Sequence, residues 1–328
     1  MSTETQNHKW ERMKSKKSHA ADQSKVISQE HADVYSLYNG DCCEVLRTIP
    51  TGSIDLSVYS PPFSSLYIYS DSDRDMGNCS SDVEFFEHYG FVIREIHRAT
   101  RPGRLSAVHC KQLVDYANSA GHAGWRDFRG DIIRAHLAAG WIYHCEVVIW
   151  KCPVNEMTKT KCQRLLYKQL RNDSSFSGVG MPEYVLLFKK WATPEERESD
   201  QYKPISRTPE QFPLDQWQEY ASPIWPCWFD INQTNVLNAG IARDDRDEKH
   251  ICPLQLDVIE RIVEMWSSPG DVVLSPFMGI GSEGYVSVQK QRRFVGIELK
   301  PSYFAIARRN ISNAAQACAV DMFGTVEE

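Results

Sequence analysis

Two short segments carry residue types that can do chemistry. The first is Ser60-Pro61-Pro62-Phe63, directly after an apolar run from Ile54 to Tyr59 that reads as a buried strand. Two prolines fix φ and hold the backbone extended, so the neighbouring carbonyls project away from a sheet instead of pairing within it. With the Ser60 hydroxyl they form a rigid set of acceptors. An exocyclic amine on a nucleobase has its lone pair delocalised into the ring. Acceptors that hold its hydrogens localise electron density on nitrogen as it attacks an electrophile, so the chemistry indicated is methylation of an amine. Phe63 would then be the platform on which an extruded base stacks. Taken alone, the tetrapeptide is equally a Pro-rich strand-to-loop turn with an incidental aromatic.

The second segment is Pro276-Phe277-Met278-Gly279-Ile280-Gly281-Ser282, between a predicted strand and a predicted helix. A nucleoside cofactor approaches a doubly wound sheet at such a place, and glycines permit close approach of the backbone. Glu298 closes the next predicted strand, where a carboxylate can accept both hydroxyls of a ribose. Gly284 completes a G-x-G-x-x-G spacing, so the loop by itself leaves a dinucleotide cofactor open.

The elements around these segments alternate. Strands are predicted at Val34 to Tyr38, Ile54 to Tyr59, Leu105 to His109, Trp141 to Trp150, Tyr184 to Phe188, Val272 to Leu274 and Phe294 to Ile297. Helices are predicted over Val83 to Ala99, Arg129 to Ala139, Leu254 to Ser267 and Ser302 to Ile311. This pattern is a three-layer α/β sandwich with a mainly parallel sheet and an antiparallel edge at Tyr184 to Phe188. Residues 64 to 82, rich in Ser, Asp and Gly, read as a mobile loop beside the first segment. Between Trp191 and Lys249 the character changes to prolines, tryptophans and charges, as in an insert.

Composition narrows the class. The chain has 328 residues, 42% hydrophobic and 24% charged, as in a soluble globular protein large enough for a substantial core. No apolar stretch is long enough for a bilayer, and the basic N-terminus, with Lys9, Arg12, Lys14, Lys16 and Lys17, lacks the apolar core of a secretory signal. The ten cysteines are irregularly spaced without a CxxC, which indicates reduced thiols in a cytoplasmic protein and no metal site. The net charge of −6 is not that of a typical nucleic-acid binder. Local clustering differs: Lys159, Lys161, Arg164, Lys168 and Arg171 lie within one short segment, either a phosphate-contacting surface or a solvated helix face.

Motif order supplies the rest. With Ser60-Pro61-Pro62-Phe63 in the N-terminal half and the glycine loop near the C-terminus, the chain resembles the permuted β-group of S-adenosylmethionine-dependent DNA amino-methyltransferases over about residues 34 to 312. Asp41, in Leu37-Tyr38-Asn39-Gly40-Asp41, matches the acid that the family places near the cofactor adenine, and Asp55 begins the run into the catalytic tetrapeptide. Trp150-Lys151-Cys152-Pro153 and Met181-Pro182-Glu183-Tyr184 resemble the segments flanking the target-base pocket. His250-Ile251-Cys252-Pro253-Leu254 resembles the segment over the methionine end of the cofactor, and Phe277, Gly279, Gly281 and Glu298 match the cofactor loop and ribose acid. Ser275 stands where the family usually has an acid.

The resemblance implies a Rossmann-like methyltransferase fold with circularly permuted motif order and S-adenosylmethionine as cofactor. The catalytic residues would be Ser60, Pro61, Pro62 and Phe63. Asp41, His250, Pro253, Leu254, Ser275, Phe277, Gly279, Gly281 and Glu298 would hold the cofactor, and Lys151, Lys159, Lys161, Arg164, Lys168 and Arg171 would contact DNA. The expected organisation is a mobile basic arm (1–33), a catalytic half (34–190), a target-recognition insert (191–249), a cofactor-binding half (250–312) and a tail (313–328). The insert, with Trp217, Trp225, Trp228, Asn232, Gln233, Asn235 and Arg243, is the candidate for sequence recognition, because Asn, Gln and Arg can read base edges; tryptophans are more often core than contacts. The substrate implied is double-stranded DNA in a prokaryotic or phage context, with a cognate restriction endonuclease as a further partner and the protein a monomer or homodimer. Serine at the first tetrapeptide position is commoner among N4-cytosine enzymes and aspartate among N6-adenine enzymes, which favours cytosine and keeps adenine as the alternative. A Pro-Cys nucleophile of the cytosine-C5 type occurs as Pro226-Cys227, but ahead of the glycine loop, the wrong order for that family. Protein and RNA amino-methyltransferases place the cofactor loop first. A DNA-binding protein with a vestigial methyltransferase fold is the non-enzymatic alternative.

Overall fold

The computed structural model describes residues 26–63, 76, 79, 81–155, 167–225, 231–237 and 253–323. Its centre is a sheet of nine strands. In chain order the strands are β1 (Ser28–His31), β2 (Tyr35–Asn39), β3 (Ile54–Tyr59), β4 (Thr100–Lys111), β5 (Leu113–Asp115), β6 (Gly124–Arg126), β7 (Ile142–Ile149), β8 (Glu183–Lys189), β9 (Ile224–Trp225), β10 (Val272–Ser275) and β11 (Arg293–Glu298). The large sheet runs β1-β2-β11-β10-β3-β4-β8-β7-β9, and β5 and β6 form a separate hairpin. Pairing is parallel from β2 through β11, β10 and β3 to β4 and again between β7 and β9, and antiparallel at β1–β2, β4–β8 and β8–β7.

Strand residues alternate between two cores, as the period of two requires. Val108, Cys110, Leu186 and Phe188 pack on one face with Val45, Phe85, Tyr89, Ile93 and Phe128. These come from helices α1 (Cys42–Thr48), α2 (Asp82–Ala99) and α3 (Phe128–Ala138). Ala107, Val185, Leu187 and Val273 face the other way, against Val258, Ile262, Val286, Phe304 and Ile311. That layer consists of α4 (Leu256–Trp266), α5 (Ser282–Gln289) and α6 (Pro301–Phe323). The three-layer α/β sandwich expected from the alternation is therefore the fold.

The details differ from expectation at four places. Part of the expected arm, Ser28–His31, is an edge strand whose pairing is reinforced by Tyr35 Oη donating to Glu30 at 2.7 Å. Its polar sequence hides it, because only one edge is paired and little of it is buried. The reversed strand β8 does not lie at an edge: β7 and β9 extend the sheet beyond it. Residues 313–323 of the expected tail are not loose, since α6 continues to Phe323 and Ala314 is buried against the core. Alanines are strong helix formers and small enough for close packing, which sustains the helix there.

The fourth difference concerns the insert. Its Trp225 is fully buried in β9, which pairs with β7, and its Nε1 donates to Tyr220 O at 3.1 Å. Asn235 Nδ2 donates to Asp257 Oδ1 at 2.6 Å, and Asn232 N donates to Asp257 Oδ2, tying that stretch to the start of α4. Lys203 pairs with Asp271 at 2.9 Å, and Arg207 donates to Ser267 O. Asp271 also bonds Arg104, which with Arg101 contacts the fully buried Asp55. These contacts lie at the starts of β3, β4 and β10, so residues 203–207 strap the end of the sheet opposite Ser60 and Glu298. Trp217 is half exposed; Trp228 and Arg243, like Pro226 and Cys227, lie outside the described residues.

Candidate active site

Strand order reverses between β10 and β3. From β3 the chain crosses to β4 on one side, and from β10 to β11 on the other. In doubly wound sheets such a switch point opens a crevice at the C-terminal ends of the strands. Both candidate segments leave the sheet there.

On the β3 side all six strand residues are buried, and Ser60 emerges half-buried at the end, followed by buried Pro61 and half-buried Pro62 and Phe63. Ser60 Oγ is 2.8 Å from His109 Nδ1. His109 stands near the end of β4, and its Nε2 is 3.1 Å from Glu183 Oε2 at the beginning of β8. Lys151, just past β7, places Nζ 2.7 Å from the same carboxylate oxygen. Burial alone would raise the pKa of Glu183, but the His109 hydrogen bond and the Lys151 charge outweigh it and hold this carboxyl well below its ordinary range. Phe63 packs beside the core with its ring 6.3 Å from that of Phe128. Beneath, Tyr59 Oη lies 3.2 Å from Tyr89 Oη and 3.3 Å from His136 Nε2, which completes the polar contacts of a fully buried phenol.

On the β10 side the site is made of backbone and small side chains. Gly281 adopts φ +90°, and a Cβ there would press on Ala307, so the loop can enter α5 only with glycine. Gly284 lies where a Cβ would overlap Ile311 and Phe294. The third glycine thus serves close helix–strand packing. Gly279 N donates to Glu298 Oε2 at 2.9 Å and Lys300 N to Oε1 at 2.8 Å, which fixes the carboxylate at the end of β11. Asn39 Nδ2 donates to the carbonyls of Glu298 and Leu299, and Gly40 N also donates to Glu298 O, which holds the end of β2 against the end of β11. Asp41 follows and caps α1, accepting from Cys43 N at 2.8 Å. Phe277 reaches across the switch point to Tyr59, ring centroids 5.9 Å apart. Glu283, the second residue of α5, is buried, and burial together with the charge of Glu298 pushes its carboxyl up to about 8.

Two buried hydroxyls, Ser275 Oγ and Ser282 Oγ, have no hydrogen-bond partner among the described residues. Buried polar atoms are ordinarily satisfied, so this pair flanking the glycine loop calls for a polar ligand group. With the oriented Glu298 carboxylate they fit a nucleoside bearing a polar amino-acid arm.

A family model described as DNA methylase, which groups N6 and N4 amino-methyltransferases, matches residues 54–309. The chain belongs to that family. The type II methyltransferase M.XycI of Xanthomonas campestris pv. cyanopsidis is 38% identical over 295 residues, covering 83% of this chain and 86% of the relative. The TTHA0409 protein of Thermus thermophilus, solved with S-adenosyl-L-methionine, shares the fold at a TM-score of 0.60 and 23% identity, covering 85% of this chain and 93% of that one. The cytosine-N4-specific PvuII DNA methyltransferase shares it at 0.60 and 15%, covering 89% and 95%. The methylase is thus a DNA amino-methyltransferase using S-adenosylmethionine, and the orphaned serines and Glu298 suit that cofactor.

Among the residues expected at the site, Ser60, Pro61, Pro62 and Phe63 come together on one side of the switch point, and Asp41, Ser275, Phe277, Gly279, Gly281 and Glu298 on the other. Pro253 is half-buried and Leu254 lies in the core with Val258. Lys168 and Arg171 are exposed on the short helix Tyr167–Asn172. Lys151 is corrected: it is buried and paired with Glu183, so it is not a phosphate contact. His250, Lys159, Lys161 and Arg164 lie outside the described residues, as does most of the expected loop 64–82. Sequence reasoning missed His109 and the role of Glu183. The available signal was a polar residue abutting an apolar run, His109 after Leu105–Val108 and Glu183 before Tyr184–Phe188.

Among the described residues, no helix is long and apolar enough to cross a membrane.

Proposed function

We propose that this methylase transfers a methyl group to the N4 amino group of a cytosine flipped out of double-stranded DNA. When bound, S-adenosylmethionine supplies an electrophilic methyl on a sulfonium; the protein's task is positioning. Ser60 Oγ and the carbonyl beside Pro61 accept the amine hydrogens, and Phe63, braced by Phe128, stacks on the base. Glu298 receives the ribose hydroxyls. Ser275 and Ser282 satisfy polar atoms of the cofactor, and Gly279 and Gly281 allow its close approach. Asp41, Phe277, Pro253 and Leu254 line the remaining parts of the same site, and Lys168 and Arg171 contact phosphates. A cognate restriction endonuclease and a cytoplasmic setting belong to this reading.

The observation that carries it is the Ser60 hydroxyl at the end of β3, beside the switch point and held by His109 at 2.8 Å. Serine rather than aspartate at this position favours cytosine. The test is direct: incubate the protein with DNA and S-adenosylmethionine carrying a labelled methyl, digest to nucleosides and identify the product by mass. N4-methylcytosine supports the proposal. N6-methyladenine replaces the base, and cofactor binding without label in any DNA overturns the activity.

A further inference from the structure

We infer that His109 is a positioning residue for methyl transfer: it takes the hydrogen of the Ser60 hydroxyl, so that Ser60 presents only lone pairs to the target amine. This rests on the proposed function and adds to it the device that makes a serine behave as a one-way acceptor.

A serine hydroxyl is ambiguous, since it donates as readily as it accepts. In front of an amine that must give up hydrogens and attack through nitrogen, a hydroxyl hydrogen turned toward the amine would compete for the lone pair the reaction needs. The chain resolves the ambiguity from the far end. An ionised Glu183 can only accept, and both His109 Nε2 and Lys151 Nζ point at its Oε2. In a neutral imidazole the ring nitrogen facing that carboxylate therefore carries the hydrogen, and Nδ1 carries the lone pair. Nδ1 lies 2.8 Å from Ser60 Oγ, so the only bond the pair can make is Ser60 donating to His109. Both lone pairs of Ser60 then remain for the substrate.

Charge balance limits the role to orientation. Glu183 has one negative charge and Lys151 already matches it, within a cluster where His109 and Lys151 are 7% and 8% exposed. The network thus has no spare negative charge with which to store a proton released in the reaction. His109 acts through Ser60.

Three measurements test this on the full-length protein. The imidazole nitrogens of ¹⁵N-histidine-labelled protein report the tautomer without any turnover, and the expected result for His109 is a protonated Nε2 and an unprotonated Nδ1. In kinetics, His109→Leu lowers kcat by about 10–100-fold, with the KM for DNA and the affinity for S-adenosylmethionine unchanged. His109→Asn, whose carbonyl oxygen can occupy the place of Nδ1, retains kcat within about threefold. Combining His109→Leu with Ser60→Ala gives the rate of Ser60→Ala alone, because the two act as one unit. A protonated Nδ1, a wild-type kcat in His109→Leu, equal losses in His109→Leu and His109→Asn, or losses that multiply in the double variant each overturn the inference. If His109→Leu fails to fold, the tautomer and the His109→Asn rate decide. If the wild type methylates no DNA, the proposed function fails while the tautomer still tests the hydrogen bond.

Discussion

The two sides of the switch point are built from different materials. The β10 side is local: a glycine loop, the helix it opens and the acid closing the next strand all fall within Ser275 to Glu298, and the contacts are backbone N–H groups and small hydroxyls. The β3 side is dispersed. Ser60, His109, Lys151 and Glu183 come from four separate parts of the chain and meet through side chains. A site made of backbone tolerates change in surrounding side chains but not in its glycines. One made of a buried ionic chain fails when any link is removed.

Breaking the dispersed side has the largest expected effect. Lys151→Met leaves Glu183 buried beside a neutral partner and destabilises the protein by about 3 kcal/mol or more, measured by denaturant unfolding. A phosphate-contacting lysine would instead change only the salt dependence of DNA binding, so the two readings separate cleanly. Ser60→Ala lowers methyl transfer on the order of 10²-fold, about 2.7 kcal/mol, while calorimetry finds S-adenosylmethionine bound as in the wild type. On the local side, Glu298→Ala weakens S-adenosylmethionine binding by roughly 1.5–3 kcal/mol and leaves affinity for DNA alone unchanged.

Glu283 sharpens the comparison through pH. Its folded carboxyl titrates at about 8, above its unfolded value, so its contribution to stability is intact below the unfolded value and is lost as pH rises toward 8. Glu283→Gln removes that penalty. The melting temperature of the variant relative to wild type therefore climbs between pH 5 and pH 9; a constant difference across that range would count against the assignment. The smallest effect belongs to the exposed helix Tyr167–Asn172. Lys168→Ala and Arg171→Ala each weaken DNA binding a few-fold, uniformly across sequences, and each reduces the salt slope by about 1.

The same contrast explains what could be read in the sequence. The cofactor side was legible because strand, glycine loop, helix and terminal acid are written consecutively. Ser60-Pro61-Pro62-Phe63 was legible because prolines dictate backbone wherever they stand. His109 was not, since a histidine closing an apolar run points to no particular partner until β4 is placed beside β3. Lys151 was misread for the same reason: its carboxylate partner is on a strand that runs the opposite way. Within the insert, Asn235 is spent on Asp257 at the start of α4 and Trp225 on the core, and neither partner is visible until α4 and β9 are placed. The polar strand Ser28–His31 escaped because edge strands bury little and so show weak alternation.

The adjacency of β3 and β10 also sets an order of assembly. Asp55 at the start of β3 accepts from Val272 N at the start of β10, 217 residues away. During synthesis β3 can pair with β4 early, but its other edge waits until nearly the whole chain has emerged. Contacts of such long sequence separation are slow to form, and an unpaired central strand exposes a row of backbone donors and acceptors meanwhile. The crevice between the two strands therefore cannot close until β10 has emerged, and a nascent or truncated chain ending before Val272 carries an open, aggregation-prone edge where the finished protein has its active site.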